Sequence, residues 1–286
     1  MTQARTQYQD RDAVVVDYQM FELPGFPYLL RGPGPAAGRD YVGLIGAGQS
    51  FGVLVRKPFA HDIRARFDIE VLNLSVGGAA PGLYLNNPAA LAACNGARCC
   101  IIQVLSARST ASSYFETDDG RNKLRPTGSR LPFVPGDTAF EMMFRMEPAI
   151  VSELVVREIQ ANWVKEMRQV LEAIRVPKIL LWFSKRKPEA LTPDYTSYRA
   201  ASGVFPQFVN RAMIDEIRPL ADQYAEVVSQ RGIPHQLTDR LTGKPVTVLL
   251  GDRRQPAGEN SYYPSPEMHQ DAFAALQAPL KTLLLA

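Results

Sequence analysis

Two distant parts of the sequence carry side chains that could act together as a nucleophile and a base. Ser50 follows an apolar run and a glycine-rich bend in "YVGLIGAGQSFG". His269, one of three histidines, lies in "ENSYYPSPEMHQDAF" near the C-terminus. A serine hydroxyl becomes a nucleophile when a neighbouring imidazole accepts its proton and a third group orients the imidazole. The pair predicts acyl-transfer chemistry, with Glu267 or Asp271 as the orienting group.

Each of these residues also has an ordinary structural interpretation. Ser50 could be a helix cap, a role that serine often fills. His269 could be a capping or partly exposed residue at the last helix. The sequence leaves these alternatives open.

Basic side chains form a second group with possible chemistry. Arg108 follows an apolar run in "LSARSTASS", and Lys185 and Arg186 follow another in "FSKRKP". Arginine binds carboxylate and phosphate through its planar fork of donors. We therefore expect a cationic edge that could bind a phosphate, a sulfate, a nucleotide or an acidic sugar. The alternative is ordinary surface charge held in salt bridges.

The elements that must position these residues alternate between apolar strands, glycine turns and helices. Five strands are predicted, in "YVGLI", "IEVLNL", "RCCIIQVLS", "PKILLWFS" and "PVTVLL". Long helices are predicted in "SELVVREIQANWVKEMRQVLEAI" and "PQFVNRAMIDEIRPLADQYAEVVSQRG", and a closing helix begins near His269. This order is typical of a three-layer α/β/α sandwich with a mostly parallel five-stranded sheet. In such sheets sites form beyond the carboxyl ends of the strands, where the turns quoted above lie.

The chain divides into unequal parts. Residues 1–40 are rich in proline and glycine, and we expect an irregular N-terminal segment packed on the core. Residues 41–286 are predicted to form one α/β domain. Residues 106–150 interrupt its rhythm as an inserted loop region. That region could be a solvated excursion or a lid over a site, because long loops in compact domains are often functional.

Composition excludes several classes of protein. The net charge of +3 is too small to indicate nucleic-acid binding. No apolar run approaches the roughly 18 residues of a membrane span. Cys94, Cys99 and Cys100 are too few for a zinc site and are expected to be small buried hydrophobic residues, which suits a reducing cytoplasm. The histidines lack metal-ligand spacing, and "GAGQSFG" is not a dinucleotide fingerprint, so we expect no metal and no cofactor.

The same turns, with "VLNLSVGGAAPGLYLNNPAAL" and "IIQVLSARSTASSYF", resemble an uncharacterised bacterial family, domain of unknown function 6473, over about residues 15–275. More distantly, their order is similar to the SGNH/GDSL hydrolase superfamily, which implies a flavodoxin-like sheet. That likeness places the nucleophile in Gly48–Ser50, with Gln49 where the superfamily has aspartate. It implies Gly77 or Gly78 as an oxyanion donor and Ser109 where the oxyanion asparagine belongs. In one register Tyr263-Pro264-Ser265 falls on its His-Pro-Ser, which puts Tyr263 in the place of the base and Asn260 in that of its carboxylate. Neutral tyrosine is a poor base near pH 7, and asparagine cannot stabilise an imidazolium.

Two functions follow from these observations. The first is an SGNH-like hydrolase or acyltransferase that acts on an acyl ester, for instance of a carbohydrate, with Ser50 as nucleophile. The alternative is a non-hydrolytic SGNH-like protein that binds or transfers an anionic group, such as a transferase in polysaccharide modification. Either would take a small-molecule or carbohydrate substrate. The sequence does not indicate an oligomeric state.

Overall fold

A computed structural model of the chain describes residues 9–191, 194–250 and 255–285. The helices are α1 (Gln9–Asp12), α2 (Gly48–Phe51), α3 (Phe59–Phe67), α4 (Pro81–Leu85), α5 (Pro88–Asn95), α6 (Gly136–Met146), α7 (Ala149–Ala173), α8 (Tyr198–Ser202), α9 (Arg211–Ile217) and α10 (Pro266–Leu285). The strands are β1 (Phe21–Glu22), β2 (Leu29–Leu30), β3 (Tyr41–Ile45), β4 (Glu70–Asn73), β5 (Cys99–Gln103), β6 (Phe115–Thr117), β7 (Lys123–Pro126), β8 (Val134–Pro135), β9 (Lys178–Ser184), β10 (Gln223–Val228), β11 (His235–Gln236), β12 (Val248–Leu250), β13 (Gln255–Ala257) and β14 (Glu259–Asn260).

The main sheet has five parallel strands in the order β10-β9-β5-β3-β4. Leu44 of β3 is in register with Asn73 of β4 on one side and with Ile101 of β5 on the other. Numbered along the chain, these strands follow the flavodoxin-like order 2-1-3-4-5, whose switch point lies between the first and third strands. The prediction of a parallel five-stranded α/β sheet is confirmed.

Helices cover both faces of this sheet, because successive strand residues point to opposite sides. One face packs against α3 and α10 through residues such as Leu44, Ile101 and Leu181. The other face packs against α4, α5, α7 and α9. Cys99 belongs to the first core and Cys100 to the second, and both are fully buried, as the sequence predicts. The result is the expected three-layer sandwich.

The N-terminal segment packs on the domain and forms a third, smaller core. Val15, Val16 and Tyr18 contact Phe51 and Leu54, which follow Ser50 in the chain. Arg31 is buried and donates hydrogen bonds to the carbonyls of Phe51 (3.1 Å), Gly52 (2.6 Å) and Val55 (2.8 Å). These bonds satisfy carbonyls that the turn after α2 leaves without helical partners. The segment thereby holds the residues that follow the candidate nucleophile.

Residues 106–150, expected to be an inserted loop region, are largely ordered secondary structure. Strands β6, β7 and β8 form a small antiparallel sheet, and α6 follows it. Phe115, Leu124 and Phe140 are buried in the large core. The interpretation of this region as a solvated excursion is therefore wrong, because its apolar side chains complete the core above the sheet.

Two predicted elements differ from the structure. The long helix expected over residues 206–232 is wrong: α9 ends at Ile217, and residues 223–228 form the edge strand β10. Pro219 lacks a backbone N–H, which helps to end the helix, and Ala225 and Val227 alternate inward as strand residues do. The fifth sheet strand expected at "PVTVLL" is wrong too, because Val248–Leu250 pairs antiparallel with Gln255–Ala257 outside the main sheet.

Within the described ranges, no helix combines the length and the apolar character needed to cross a bilayer.

Candidate functional site

The candidate site lies at the carboxyl ends of β3 and β5, the switch point of the sheet. Helix α2, which contains Ser50, follows β3 after a two-residue bend. The turn after β5 contains Arg108 and Ser109 in a short 3₁₀ helix. Because both strands are parallel neighbours, their carboxyl ends lie at the same edge. The structure therefore brings the serine and the arginine turns together, as the sequence predicts.

Ser50 is fully buried, and its surroundings hold its backbone tightly. Its N–H donates to Oε1 of Gln103 (3.3 Å), and its carbonyl accepts from Nδ2 of Asn73 (3.2 Å). The Oγ atom has no hydrogen-bond partner among the described residues. An oxyanion needs backbone donors aimed at it. The backbone N–H of a nucleophilic serine often helps to stabilise the oxyanion. Here Gln103 already accepts that N–H from Ser50.

His269 lies inside α10 and is fully buried between the rings of Phe59 and Phe183, with centroid distances of 5.6 and 5.3 Å. Its Nδ1 accepts the N–H of Phe59 (3.3 Å), so in the neutral ring the proton is on Nε2. Burial, and then the charge of Arg31, lowers the pKa of His269 to about 3. This environment does not support the role of general base to Ser50. Neither Glu267 nor Asp271 is supported as the group that orients His269, because Nδ1 already accepts a backbone N–H.

Tyr263 lies over the start of the serine turn. A Cβ added at Gly48 would be 2.7 Å from Cε1 of Tyr263, so only glycine permits this approach. Asn260 is buried and shapes the segment: its Oδ1 accepts the N–H groups of Tyr262 (3.1 Å) and Tyr263 (3.0 Å), and its Nδ2 donates to the Tyr263 carbonyl (2.9 Å). Asn260 therefore positions the two tyrosines and has no acid–base role in this geometry.

Arg108 is the buried cation of the site. Its Nη1 donates to Oδ1 of Asp137 (2.6 Å), a carboxylate that is 44% exposed and also accepts from the Tyr198 hydroxyl. Burial lowers the pKa of Arg108, but the neighbouring Tyr262, Tyr198 and Asp137 outweigh burial and raise it. The Nε atom is buried and has no partner within the described residues. Arg108 is thus a permanent charge with donor capacity remaining.

Lys185 and Arg186 do not extend this charge into an open cationic edge. Lys185 Nζ donates to the Ser261 carbonyl (2.7 Å), and burial lowers its pKa. Arg186 donates to the carbonyls of Val204 (3.1 Å), Pro206 (2.6 Å) and Val209 (2.6 Å), and burial lowers its pKa to about 10. Their donors hold loops together, so neither residue supports the expected anion-binding role.

The two residues predicted near the oxyanion lie in different turns, Gly78 after β4 and Ser109 after β5. Gly78 has φ +77° and lies against Asn122, whose Cβ would be 2.8 Å from a Cβ at that position. Oδ1 of Asn122 accepts the N–H of Gly136 (3.1 Å), and a Cβ added at Gly136 would be 3.3 Å from Cγ of Arg108. Asn122 therefore lies between Gly78 and the glycine beside Arg108. Ser109 is buried in the same turn as Arg108.

Sequence reasoning missed Gln103, Asp137, Tyr198 and Tyr262. Gln103 is a polar residue at the end of an otherwise apolar strand, and that signal could have found it. Asp137 and Tyr198 reach Arg108 from α6 and α8, which only the tertiary fold brings close. In the part of the chain that the structure describes, no cluster of three or more His, Cys, Asp or Glu side chains could hold a metal ion.

Fold and site together define a three-layer α/β protein with a polar site at the switch point of its sheet. A model of the family described as "Domain of unknown function (DUF6473)" matches residues 6–125 and 142–284. The chain belongs to that family, in agreement with the sequence resemblance. The stretch between the matched parts, residues 126–141, includes Asp137. No curated protein matches the chain.

Several solved structures are similar to this fold. A carbohydrate esterase family 2 enzyme with a carbohydrate-binding domain from Corynascus thermopiles (Myceliophthora fergusii) is 10% identical over 89% of this chain and 69% of its own, with a TM-score of 0.41. The psychrotrophic esterase EstA from Pseudoalteromonas sp. is 12% identical over 85% and 99%, with a TM-score of 0.40. LAE5, an alpha/beta hydrolase from the metagenome of Lake Arreo, is 13% identical over 87% and 97%, with a TM-score of 0.41. Likeness at this level carries no argument about the activity of this chain.

Proposed function

We propose that this protein binds a small anionic molecule, with a phosphate, sulfate or carboxylate group held by Arg108, and that it does not hydrolyse esters by a serine–histidine mechanism. The observation that carries the proposal is the state of Arg108. A guanidinium with a 9% exposed side chain at the switch point has one half-exposed carboxylate as its ion-pair partner and a buried Nε without a partner in the described residues. Buried arginine is a strong anchor for planar and tetrahedral anions.

Asp137 has a defined place in this proposal. Its carboxylate occupies the position that a ligand anion would take on Arg108, with the Tyr198 hydroxyl as a second donor. Because it is half exposed, solvent and ligand can reach it without opening the core. An incoming anion competes with Asp137 for the guanidinium, which makes the affinity depend on both residues.

The first test is anion binding measured by isothermal titration calorimetry with inorganic phosphate and sulfate. Arg108→Lys keeps the charge but loses the planar fork, and we expect it to weaken binding about tenfold. Asp137→Asn removes the competing charge, and we expect it to strengthen binding. Arg130→Lys, at an exposed arginine of the same region, is the control and should bind as the wild type does. Equal affinity in all four proteins would contradict the proposal.

Acyl transfer by Ser50 is the second candidate, favoured by its position after β3 and by an Oγ without a partner among described residues. The test is a fluorophosphonate probe, which labels activated serines covalently. Because Ser50 is buried and lacks a usable base, we expect wild-type protein to label no faster than Ser50→Ala. Labelling that Ser50→Ala abolishes would establish an activated serine and overturn the non-hydrolytic part of the proposal.

A further inference from the structure

Three buried side chains at the switch point each have one polar atom without a hydrogen-bond partner among the described residues. These atoms are Ser50 Oγ, Ser75 Oγ and Gln103 Nε2. A Cβ added at Gly46 would be 2.6 Å from Oε1 of Gln103, 2.6 Å from Cβ of Ser50 and 2.8 Å from Oγ of Ser75. All three side chains therefore meet at the bare backbone of Gly46. Buried polar atoms without partners are uncommon in folded proteins, so three at one point form a distinctive cluster.

The surrounding hydrogen bonds fix this cluster. Oε1 of Gln103 accepts the N–H groups of Ala47 (3.0 Å) and Ser50 (3.3 Å), so its amide orientation is set and Nε2 remains as a donor. Oδ1 of Asn73 accepts the N–H of Ser75 (3.0 Å), which holds the second serine. The Tyr84 hydroxyl, with its single proton, lies within hydrogen-bond distance of the carbonyls of Gly46 (2.7 Å) and Leu74 (3.0 Å), and its oxygen accepts the N–H of Gly46 (3.3 Å). The backbone groups named here all have hydrogen-bond partners, and the atoms that can still form hydrogen bonds belong to the three side chains.

The chemistry of the cluster selects a neutral oxygen. Gln103 Nε2 can only donate, whereas each serine hydroxyl can donate or accept. None of the three groups is charged, and neither are Asn73 and Tyr84. A neutral hydroxyl or carbonyl oxygen matches such a set, because a buried anion without a cation costs far more to desolvate. The cluster would bind a neutral oxygen of a ligand, and Arg108 would bind its anionic group.

The segment with Tyr262 and Tyr263 lies beside the serine turn. The ring of Tyr263 lies on Gly48 at the start of the serine turn. The hydroxyl of the neighbouring Tyr262 accepts from Nε2 of Gln207 (3.4 Å). The two tyrosine rings touch edge to face, with centroids 4.9 Å apart.

We propose that Ser50, Ser75 and Gln103 form a second binding position for a hydroxyl or carbonyl oxygen of the ligand whose anionic group Arg108 holds. The inference rests on the proposed function and narrows the ligand to a hydroxylated anion of the sugar phosphate class. Such a molecule offers one charged group and several neutral oxygens.

The test compares inorganic phosphate with glucose 6-phosphate by isothermal titration calorimetry. The wild type should bind glucose 6-phosphate about tenfold more tightly than phosphate, as one or two extra hydrogen bonds to a buried site provide. Ser75→Ala should remove that preference and leave phosphate binding unchanged. It removes an Oγ that has no partner in the described residues, so the fold should tolerate it.

Ser152→Ala is the matched control. Ser152 is fully buried on α7 and its Oγ also has no partner within the described residues, but it lies in another element. It should keep the preference for glucose 6-phosphate. Equal affinity of the wild type for both probes, or a preference that survives in Ser75→Ala, would overturn the second position while leaving Arg108 as an anion site. Binding of neither probe would overturn the proposed function itself.

Discussion

Gly120→Ala is expected to lower the free energy of unfolding by about 3 kcal/mol or more, since it combines backbone strain with a clash against main chain. Gly120 has φ +64°, where a side chain is strained. Its added Cβ would also be 2.2 Å from the Leu83 nitrogen and 2.7 Å from the Gly82 carbonyl carbon, both in α4. Neither backbone atom can rotate away as a side chain could. Urea unfolding followed by circular dichroism measures the loss.

Gly128→Ala is the control that separates the two causes. Gly128 has a similar φ of +72°, but nothing lies within 4 Å of its added Cβ. This variant should lose only the conformational part, about 1 kcal/mol. Equal losses in the two variants would show that the close approach of Gly120 to α4 contributes nothing. That approach also carries the hydrogen bond from the Ala80 N–H to the Gly120 carbonyl (2.9 Å), which ties residues 106–150 to the main domain.

The second large effect concerns acid stability and His269. Its pKa is about 3 in the folded chain and about 6.5 when the chain is unfolded. Between these values the unfolded state binds a proton that the folded state does not. The free energy of unfolding therefore decreases as the pH falls from 6.5 towards 3. The titration of His269 accounts for a decrease of about 3 kcal/mol between pH 6.5 and 4. His269→Asn removes the titration and retains an oxygen acceptor for the Phe59 N–H.

Unfolding free energies measured from pH 7 to pH 4 test this expectation. His269→Asn should lose less stability than the wild type across that range, whatever its stability at pH 7. The control is His61→Asn, at a histidine whose side chain is 52% exposed, and this variant should lose stability in parallel with the wild type. If the wild type and His269→Asn lose stability in parallel, the buried neutral histidine is not the cause of acid sensitivity.

Much of the fold could be predicted because the spacing of apolar residues and the position of glycine turns can be recognised within short stretches of sequence. The apolar runs at β3, β5 and β9 are long and end in turns, and the helical spacing through Trp163 and Met167 predicts α7. Strand β10 escaped prediction because "QYAEVVSQ" suits a helix or a strand, and only pairing with β9 decides between them. Edge strands carry weaker patterns, since one side has no partner strand.

The candidate site was less predictable than the fold. Ser50 and Arg108 are adjacent to strand ends, so the sheet rule places them at one edge. Their partners do not follow from that rule. Whether Arg186 faces a ligand or donates to carbonyls depends on the path of residues 204–209, and whether His269 meets Ser50 depends on the packing of α10 against Phe59 and Phe183. Such contacts are properties of the assembled structure.

The position of α10 in the chain has a consequence for biosynthesis. All five sheet strands precede Pro266, and a chain leaves the ribosome from its N-terminus at about 5–20 residues per second. Until α10 has been made, Leu44, Ile101 and Leu181 lack the cover that Met268, Ala272 and Leu276 provide. The nascent sheet thus presents an apolar face for several seconds. The core on this face is therefore completed only when the last helix has been made.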